Sequence, residues 1–217
     1  MTHDTEVLGT GQDLLSISPV VPVVVLDDVA DAVSLARALA RGGVRIMEIT
    51  LRTPAGLGAI ERVAAEVPET TVGAGTVTTP EEAAAARRAG ARFLVTPGAT
   101  DRLLGAVLDT GLPFLAGAST LSEILRLREH GQQGLKFFPA EASGGTAYLK
   151  AVAGPVPDVR FCPTGGISRS NAAEYLALPN VGCVGGSWLT PAAAVRARDW
   201  AEIERLAAEA STLAAGG

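Results

Sequence analysis

From residue 19 onward, short apolar runs alternate with segments in which apolar residues recur at helical spacing. Continuous apolar runs are typical of parallel strands that are buried on both faces, and helical spacing indicates helices with one buried face. The pattern predicts eight strands, at residues 20–26, 45–51, 71–77, 92–97, 113–118, 135–139, 159–164 and 181–184. A helix is predicted after each strand, at residues 28–41, 56–67, 80–90, 101–110, 119–130, 146–153, 170–177 and 199–213.

Eight strand–helix pairs are the count of an α/β protein of the (β/α)₈ TIM-barrel class. A doubly wound open sheet is the alternative, but it usually has fewer strands and often a glycine-rich nucleotide-binding turn after the first one. The turn Leu26-Asp27-Asp28 contains no glycine, which favours the barrel. We therefore predict a single barrel domain over residues 19–217. A tail and a short N-terminal helical extension are expected in residues 1–18.

The amino-acid composition and net charge limit which classes of binding partner are expected. The chain has 217 residues, of which 47% are hydrophobic and only 4% aromatic, so the core is expected to consist of Ala, Val, Leu and Ile. The net charge is −5 and no basic run is present, which argues against nucleic acid as a partner. An anionic small-molecule substrate would have to be held by local positive groups, because the global field does not attract it.

The sequence also predicts a location and argues against a transition-metal site. It shows no signal peptide and no apolar run near the length of a membrane span, so a cytoplasmic protein without membrane contact is expected. Cys162 and Cys183 stand in apolar runs and are expected to be buried, reduced thiols. His3 and His130 are isolated, so no metal or other cofactor is predicted, although a site made only of carboxylates for Mg²⁺ stays open.

Lys136 is the most informative residue, because it interrupts the apolar run of residues 134–140. Burial disfavours a charged ammonium and would favour the neutral, nucleophilic amine. The alternative is that the side chain extends along the strand and places its charge in water. Period-two alternation puts Phe138 on the same face as Lys136.

Other polar residues stand where barrel chemistry is expected, at the carboxyl ends of the strands. Glu48, Thr50 and Arg52 share one face of the second strand. An inward Glu near a desolvated Lys can act as a general base, although Glu48 and Arg52 could instead form a structural ion pair. Thr76 follows two glycines at the end of the third strand, and Pro97 ends the fourth.

Paired glycines follow the last two strands. They occur in Thr164-Gly165-Gly166 and in Gly185-Gly186-Ser187. The loops after strands seven and eight are a frequent phosphate site in barrels, because glycines let backbone N–H groups converge on an anion. The alternative at each pair is a simple tight turn. Arg169 stands close by and adds positive charge, with exposure to solvent as the default.

Five motifs in register resemble one family. They are residues 48–53 (EITLRT), 72–77 (VGAGTV), 136–141 (KFFPAE), 161–167 (FCPTGGI) and 185–188 (GGSW). The chain is similar over residues 19–192 to the 2-keto-3-deoxy-6-phosphogluconate (KDPG) aldolases, which include bifunctional 4-hydroxy-2-oxoglutarate aldolases. The resemblance implies a class I aldolase that works through a Schiff base without a metal, and typically a homotrimer.

The resemblance also implies roles for individual residues. Lys136 would form the imine and Glu48 would move protons. The remaining positions would bind substrate: Arg52 and Thr76 at the pyruvate carboxylate, Pro97, Phe138 and Thr164 around the reacting carbons, and Gly165, Gly166, Gly186 and Ser187 at the phosphate. The chain departs from some relatives at Val25-Leu26, Ser143 and Arg169.

Three other functions remain as alternatives. One is an aldolase for the galactonate epimer of the substrate. Another is a sugar-phosphate isomerase that uses Glu48 as its base and Lys136 only for charge. The third is a barrel that binds a phosphorylated metabolite without catalysis, which would not need a desolvated lysine facing a glutamate.

Overall fold

The computed structural model describes residues 10–213. Its strands are β1 Val20–Val24, β2 Ile46–Thr50, β3 Thr71–Gly75, β4 Leu94–Val95, β5 Phe114–Ala118, β6 Gly134–Phe137, β7 Arg160–Pro163 and β8 Val184–Gly186. Its helices are α1 Gly11–Leu14, α2 Ala32–Arg41, α3 Gly56–Glu66, α4 Pro80–Arg88, α5 Asp101–Asp109, α6 Leu121–Glu129, α7 Gly145–Val152, α8 Ala172–Leu176, α9 Ala192–Ala197 and α10 Trp200–Ser211. A 3₁₀ turn, Val29–Asp31, leads into α2.

The eight strands form one parallel sheet that closes into a barrel. Neighbouring strands follow the order β7-β6-β5-β4-β3-β2-β1-β8. Two isolated parallel bridges, Phe161 with Val181 and Thr164 with Gly185, join the two ends of this order. The predicted TIM-barrel fold is therefore confirmed.

Two apolar cores lie on the two sides of the barrel wall. The larger one fills the space between the strands and the outer helices and includes Met47 and Ile49. The smaller one fills the lower barrel interior, where Leu14 and Leu15 of the N-terminal extension pack with residues such as Ile46 and Phe93. Because Ile46 is inside, alternation directs Glu48 into the same interior, one pleat higher. The inner core thus forms the floor of a site.

Helix α4 begins with a reciprocal capping arrangement. At α4, Thr79 accepts a hydrogen bond from the backbone N–H of Glu82 at 3.1 Å, and the Glu82 carboxylate accepts from the N–H of Thr79 at 3.1 Å. This reciprocal pair satisfies two N–H groups that the helix cannot bond internally. The predicted start of this helix at residue 80 is confirmed.

The structure differs from the predicted elements mainly near the C-terminus. Strand β8 contains Gly185 and Gly186, which the sequence had placed beyond a strand at 181–184. These glycines pair with Val21 and Pro22 of β1, so closure of the barrel extends the strand through them. Helix α9 was not predicted, because its run of alanines lacks the apolar periodicity of a buried face.

Two further findings concern the ends and surface of the chain. The short helix Gly11–Leu14 lies within residues 1–18, where the N-terminal helical extension was expected. The predicted tail at residues 1–9, including His3, lies outside the described residues. Of the helices in residues 10–213, none is both long enough and apolar enough to cross a membrane.

Candidate active site

Lys136 and Glu48 meet inside the upper barrel. The Nζ atom of Lys136 donates a hydrogen bond to Oε1 of Glu48 at 3.2 Å. Each side chain is only 4% exposed. Burial of the whole lysine side chain excludes the alternative in which its charge extends into water. The two residues are 88 positions apart in sequence, and the closed barrel brings them together.

Glycines on the neighbouring strands make room for this pair. Gly75 of β3 faces Glu48, and a methyl group built on it would lie 2.1 Å from Oε1 of Glu48. Gly117 lies beside Lys136 in the β5–β6 register. A methyl group on Gly117 would lie 2.2 Å from the carbonyl oxygen of Pro97. A larger residue at 75 would therefore displace the Glu48 carboxylate, and one at 117 would displace the end of β4.

A substitution of Gly75 tests whether the position of the Glu48 carboxylate matters. In Gly75→Ala the new methyl group forces the carboxylate away from Nζ of Lys136. We expect kcat to fall about 10- to 100-fold, the scale reported for a misplacement of about 1 Å in an active site. Gly105→Ala is the matched control, since Gly105 has open space on exposed α5 and alanine there should stabilise by about 0.5–1 kcal/mol. Equal kcat in both variants would contradict the prediction.

Arg52 and Thr76 lie together above the pair. Nε of Arg52 donates a hydrogen bond to Oγ1 of Thr76 at 3.0 Å. Thr76 has a φ of 57°, a left-handed conformation that is uncommon for a β-branched residue. Glu48 is bonded to Lys136 rather than to Arg52, so the structural Glu48–Arg52 ion pair is not formed. A guanidinium beside a hydroxyl at the mouth is suited to hold a carboxylate.

The wall around Lys136 combines one aromatic ring with small polar groups. The Phe138 ring centroid lies 5.3 Å from Nζ of Lys136. Thr164 is buried, and its hydroxyl donates to the carbonyl oxygen of Cys162 at 3.3 Å. Gly185 on β8 leaves space for that hydroxyl, since a methyl group there would lie 2.2 Å from Oγ1 of Thr164. Pro97 is half-buried at the end of β4.

The two glycine pairs have different roles in the backbone. Gly165 and Gly166 follow β7 with φ values of 96° and 82°, a left-handed turn that other residues rarely adopt. Gly186 is instead buried within β8 and faces outward, where a methyl group would lie 1.7 Å from the Trp188 ring. Only Ser187 follows as an exposed residue. Only the pair at 165–166 thus forms a turn with positive φ at both glycines, whereas Gly185 and Gly186 belong to the barrel wall.

Arg169 does not face the site. Its guanidinium pairs with Glu209 of α10 at 3.2 Å, and its side chain is 67% exposed. This contact holds the turn after β7 against the last helix. The expectation that Arg169 faces solvent agrees with its exposure, and the ion pair adds a contact that the sequence did not indicate.

Two buried thiols lie below the site. Cys162 and Cys183 are both free and buried, as expected. The neighbouring Cys162 and complete burial raise the pKa of the Cys183 thiol well above its usual value. A thiol held in its protonated form is a poor nucleophile. Within residues 10–213, no group of three or more His, Cys, Asp or Glu side chains is placed to hold a metal ion.

Sequence reasoning missed several residues that shape the site. Gly75 and Gly185 were noted only as glycines, whereas each leaves space for a specific side chain on a neighbouring strand. Thr50 was placed on the same face as Glu48, and the structure adds that its hydroxyl is buried and has no hydrogen-bond partner among residues 10–213. The available signal was strand alternation. Strand alternation places these residues inside the barrel but does not show which side chain packs against which glycine.

Comparison with known proteins identifies the family. A model described as KDPG and KHG aldolase matches residues 12–206. The chain belongs to this family. The 2-dehydro-3-deoxy-phosphogluconate aldolase of Pseudoalteromonas atlantica is 52% identical over 207 residues, which cover 95% of this chain and 96% of that protein. The KHG/KDPG aldolase of Escherichia coli K12 is 49% identical over 201 residues, 93% of this chain and 94% of that protein.

A solved structure agrees with this membership in the KDPG and KHG aldolase family. The KDPG aldolase of Legionella pneumophila superposes with a TM-score of 0.91 at 43% identity, covering 94% of this chain and 98% of that one. In that structure pyruvate is captured as a covalent carbinolamine intermediate. A carbinolamine forms when an amine attacks a carbonyl carbon, which is the first step on the way to a Schiff base. The resemblance inferred from the five motifs is confirmed.

Proposed function

We propose that this chain is a class I aldolase that cleaves 2-dehydro-3-deoxy-6-phosphogluconate to pyruvate and glyceraldehyde 3-phosphate. The observation that carries the proposal is the buried pair of Lys136 and Glu48, 3.2 Å apart, inside a member of the KDPG and KHG aldolase family. An amine beside a carboxylate in a water-poor barrel supplies both a nucleophile and a group that moves protons.

The steps follow from this geometry. Glu48 accepts a proton from the ammonium of Lys136, and the neutral amine attacks the C2 ketone to give a carbinolamine. Glu48 returns the proton to the departing hydroxyl, so water leaves and a protonated imine remains. The carboxylate then removes the C4 hydroxyl proton, the C3–C4 bond breaks, and its electrons flow into the imine. The aldehyde departs, the enamine gains a proton at C3 from Glu48, and hydrolysis releases pyruvate.

The two ends of the substrate have separate binding groups in this proposal. Arg52 and Thr76 hold the carboxylate next to C2, because a guanidinium binds a carboxylate through paired N–H groups. The phosphate lies at the turn of Gly165 and Gly166 with Ser187, where backbone N–H groups are free to converge. Phe138, Pro97 and Thr164 line the space between the two ends, and Gly186 supports Ser187 from the wall.

A second substrate, 4-hydroxy-2-oxoglutarate, is proposed for the same site. The family description and the Escherichia coli relative both name KHG together with KDPG. Cleavage at the corresponding bond gives pyruvate and glyoxylate by the same steps, and it needs the carboxylate site but not the phosphate site. We further propose a cytoplasmic homotrimer in which residues 19–217 form one domain, by resemblance to family members.

The direct test measures pyruvate release from each substrate with a lactate dehydrogenase assay, in the presence of a chelator. We expect both substrates to be cleaved, with the lower KM for the phosphorylated one, and no inhibition by the chelator. The galactonate epimer is included as a third substrate. Strong inhibition by the chelator, or preference for the epimer, would overturn the assignment.

Removal of the Arg52 guanidinium should weaken binding of both substrates. We expect Arg52→Met to raise KM by roughly 10- to 100-fold for the phosphorylated and the non-phosphorylated substrate alike, since both lose a charge-assisted hydrogen bond at the carboxylate. Arg62→Met is the matched control, because Arg62 pairs with Glu66 on the exposed surface of α3, away from the site. An increase confined to the phosphorylated substrate would move Arg52 to the phosphate end.

A further inference from the structure

Tyr175 and Glu141 form a link outside the catalytic pair. Tyr175 on α8 is only 1% exposed, and its hydroxyl donates a hydrogen bond to Oε1 of Glu141, in the turn after β6. Burial, followed by the bond to the Glu141 carboxylate, raises the pKa of Tyr175 well above its usual value. The hydroxyl therefore stays protonated and remains a donor. The contact joins the segment after the lysine strand to the helix that follows the glycine turn.

Glu141 also contacts the glycine turn directly. Its backbone N–H donates to the carbonyl oxygen of Gly165 at 3.1 Å. Its side-chain stem lies against Gly166, since a methyl group built on Gly166 would be 2.4 Å from Cγ of Glu141. The neighbouring N–H of Ala140 donates to the carbonyl oxygen of Thr164 at 2.8 Å. Glu141 therefore forms one side of the proposed phosphate cradle.

A carboxylate beside a phosphate site is unfavourable unless it is restrained. Like charges repel at short range. The Glu141 side chain reaches Gly166 through its stem, so a rotation about its own bonds could bring the charge toward the bound anion. Tyr175 is the group that hydrogen-bonds Oε1 and directs the carboxylate away, toward α8.

We propose that Tyr175 is a positioning residue for phosphate recognition, because its hydroxyl holds the Glu141 carboxylate away from the phosphate bound at Gly165 and Gly166. This inference rests on the proposed function, which assigns the phosphate to that turn. Tyr175 touches neither the substrate nor the reacting carbons, and it acts only through Glu141. The expected signature is a change in KM for phosphorylated substrate, with the chemistry at Lys136 unaltered.

The experiment compares Tyr175→Phe with Tyr148→Phe on two substrates. The Tyr148 hydroxyl is buried without a hydrogen-bond partner in the described structure, so its removal is a matched loss of one buried oxygen. We expect Tyr175→Phe to raise KM for 2-dehydro-3-deoxy-6-phosphogluconate roughly tenfold, the scale of one hydrogen bond to a charged group. Its kcat and KM for 4-hydroxy-2-oxoglutarate should stay at wild-type values, which also shows that the barrel is folded. Tyr148→Phe should change neither substrate.

A second variant tests whether Tyr175 acts by restraining the charge of Glu141 or only by holding the glycine turn in place. Adding Glu141→Gln to Tyr175→Phe removes the charge, so KM for the phosphorylated substrate should return close to the wild-type value. A double variant as poor as Tyr175→Phe, or a Tyr175→Phe that matches Tyr148→Phe, would overturn the inference. If the wild-type enzyme cleaves neither substrate, or shows no preference for the phosphorylated one, the proposed function fails instead.

Discussion

Lys136→Met is expected to abolish turnover, with kcat/KM lower by on the order of 10⁴-fold or more, because the covalent route depends on this amine and methionine cannot form an imine. Methionine has a similar length and fills the same interior space without a nitrogen. The measurement pairs the steady-state rate with borohydride reduction in the presence of pyruvate. The wild-type chain should gain one pyruvate-derived mass at Lys136, and the variant should gain none.

The low lysine content of the chain provides a control for this test. It contains only two lysines, Lys136 and Lys150. Lys150 lies exposed on α7, and Lys150→Met should retain both turnover and labelling at Lys136. Labelling at Lys150 instead of Lys136 in the wild type, or substantial turnover without Lys136, would remove Lys136 from the covalent route, and a wild type that gains no mass would favour the isomerase alternative.

Loss of Lys136 also leaves Glu48 buried without its partner. Breaking one side of a buried ion pair costs about 3–5 kcal/mol, so the single variant could lose activity through unfolding. Combining Lys136→Met with Glu48→Gln removes the uncompensated charge. If this double variant melts near the wild-type temperature and is still unlabelled, whereas Glu48→Gln alone is labelled, the loss of labelling belongs to the missing amine.

The fold was predictable because each strand and helix carries its own local signal. Continuous apolar runs marked the strands and helical spacing of apolar residues marked the helices, so the count of eight followed without any knowledge of tertiary contacts. The errors fall where a contact decides the outcome. Gly185 and Gly186 are strand residues only because β1 offers them hydrogen bonds, and α9 lacks the apolar stripe that sequence patterns detect.

The inward-facing residues of the site could be predicted from the sequence, but the contacts between them could not. Alternation placed Glu48 and Lys136 on inner faces, and the barrel class implied that inner faces at the strand ends converge. Their 3.2 Å contact also needs Gly75 across from Glu48, a complementarity between side chains on adjacent strands that no local pattern contains. The link from Tyr175 to Glu141 spans 34 residues and likewise depends on tertiary packing.

Glu48→Gln is expected to separate imine formation from bond cleavage. Glutamine keeps the shape and an oxygen that can accept from Nζ of Lys136, but it cannot take up or return a proton. Cleavage should slow roughly 10²- to 10⁴-fold, the usual contribution of a positioned acid–base group. Borohydride trapping with pyruvate should still label Lys136 after prolonged incubation, because water can carry the protons of imine formation when time is not limiting.

The cleavage rate and the borohydride labelling together show what Glu48 does. A purely structural carboxylate would be replaced by the amide with little loss of rate, since the hydrogen bond to Lys136 survives, and unchanged turnover would remove Glu48 from the mechanism. Loss of labelling together with loss of rate would mean that the lysine itself was disturbed. Glu66→Gln on exposed α3 supplies the matched change on the surface, where we expect no effect on either readout. Slow cleavage with intact labelling therefore assigns proton transfer, rather than support of the amine, to this one side chain.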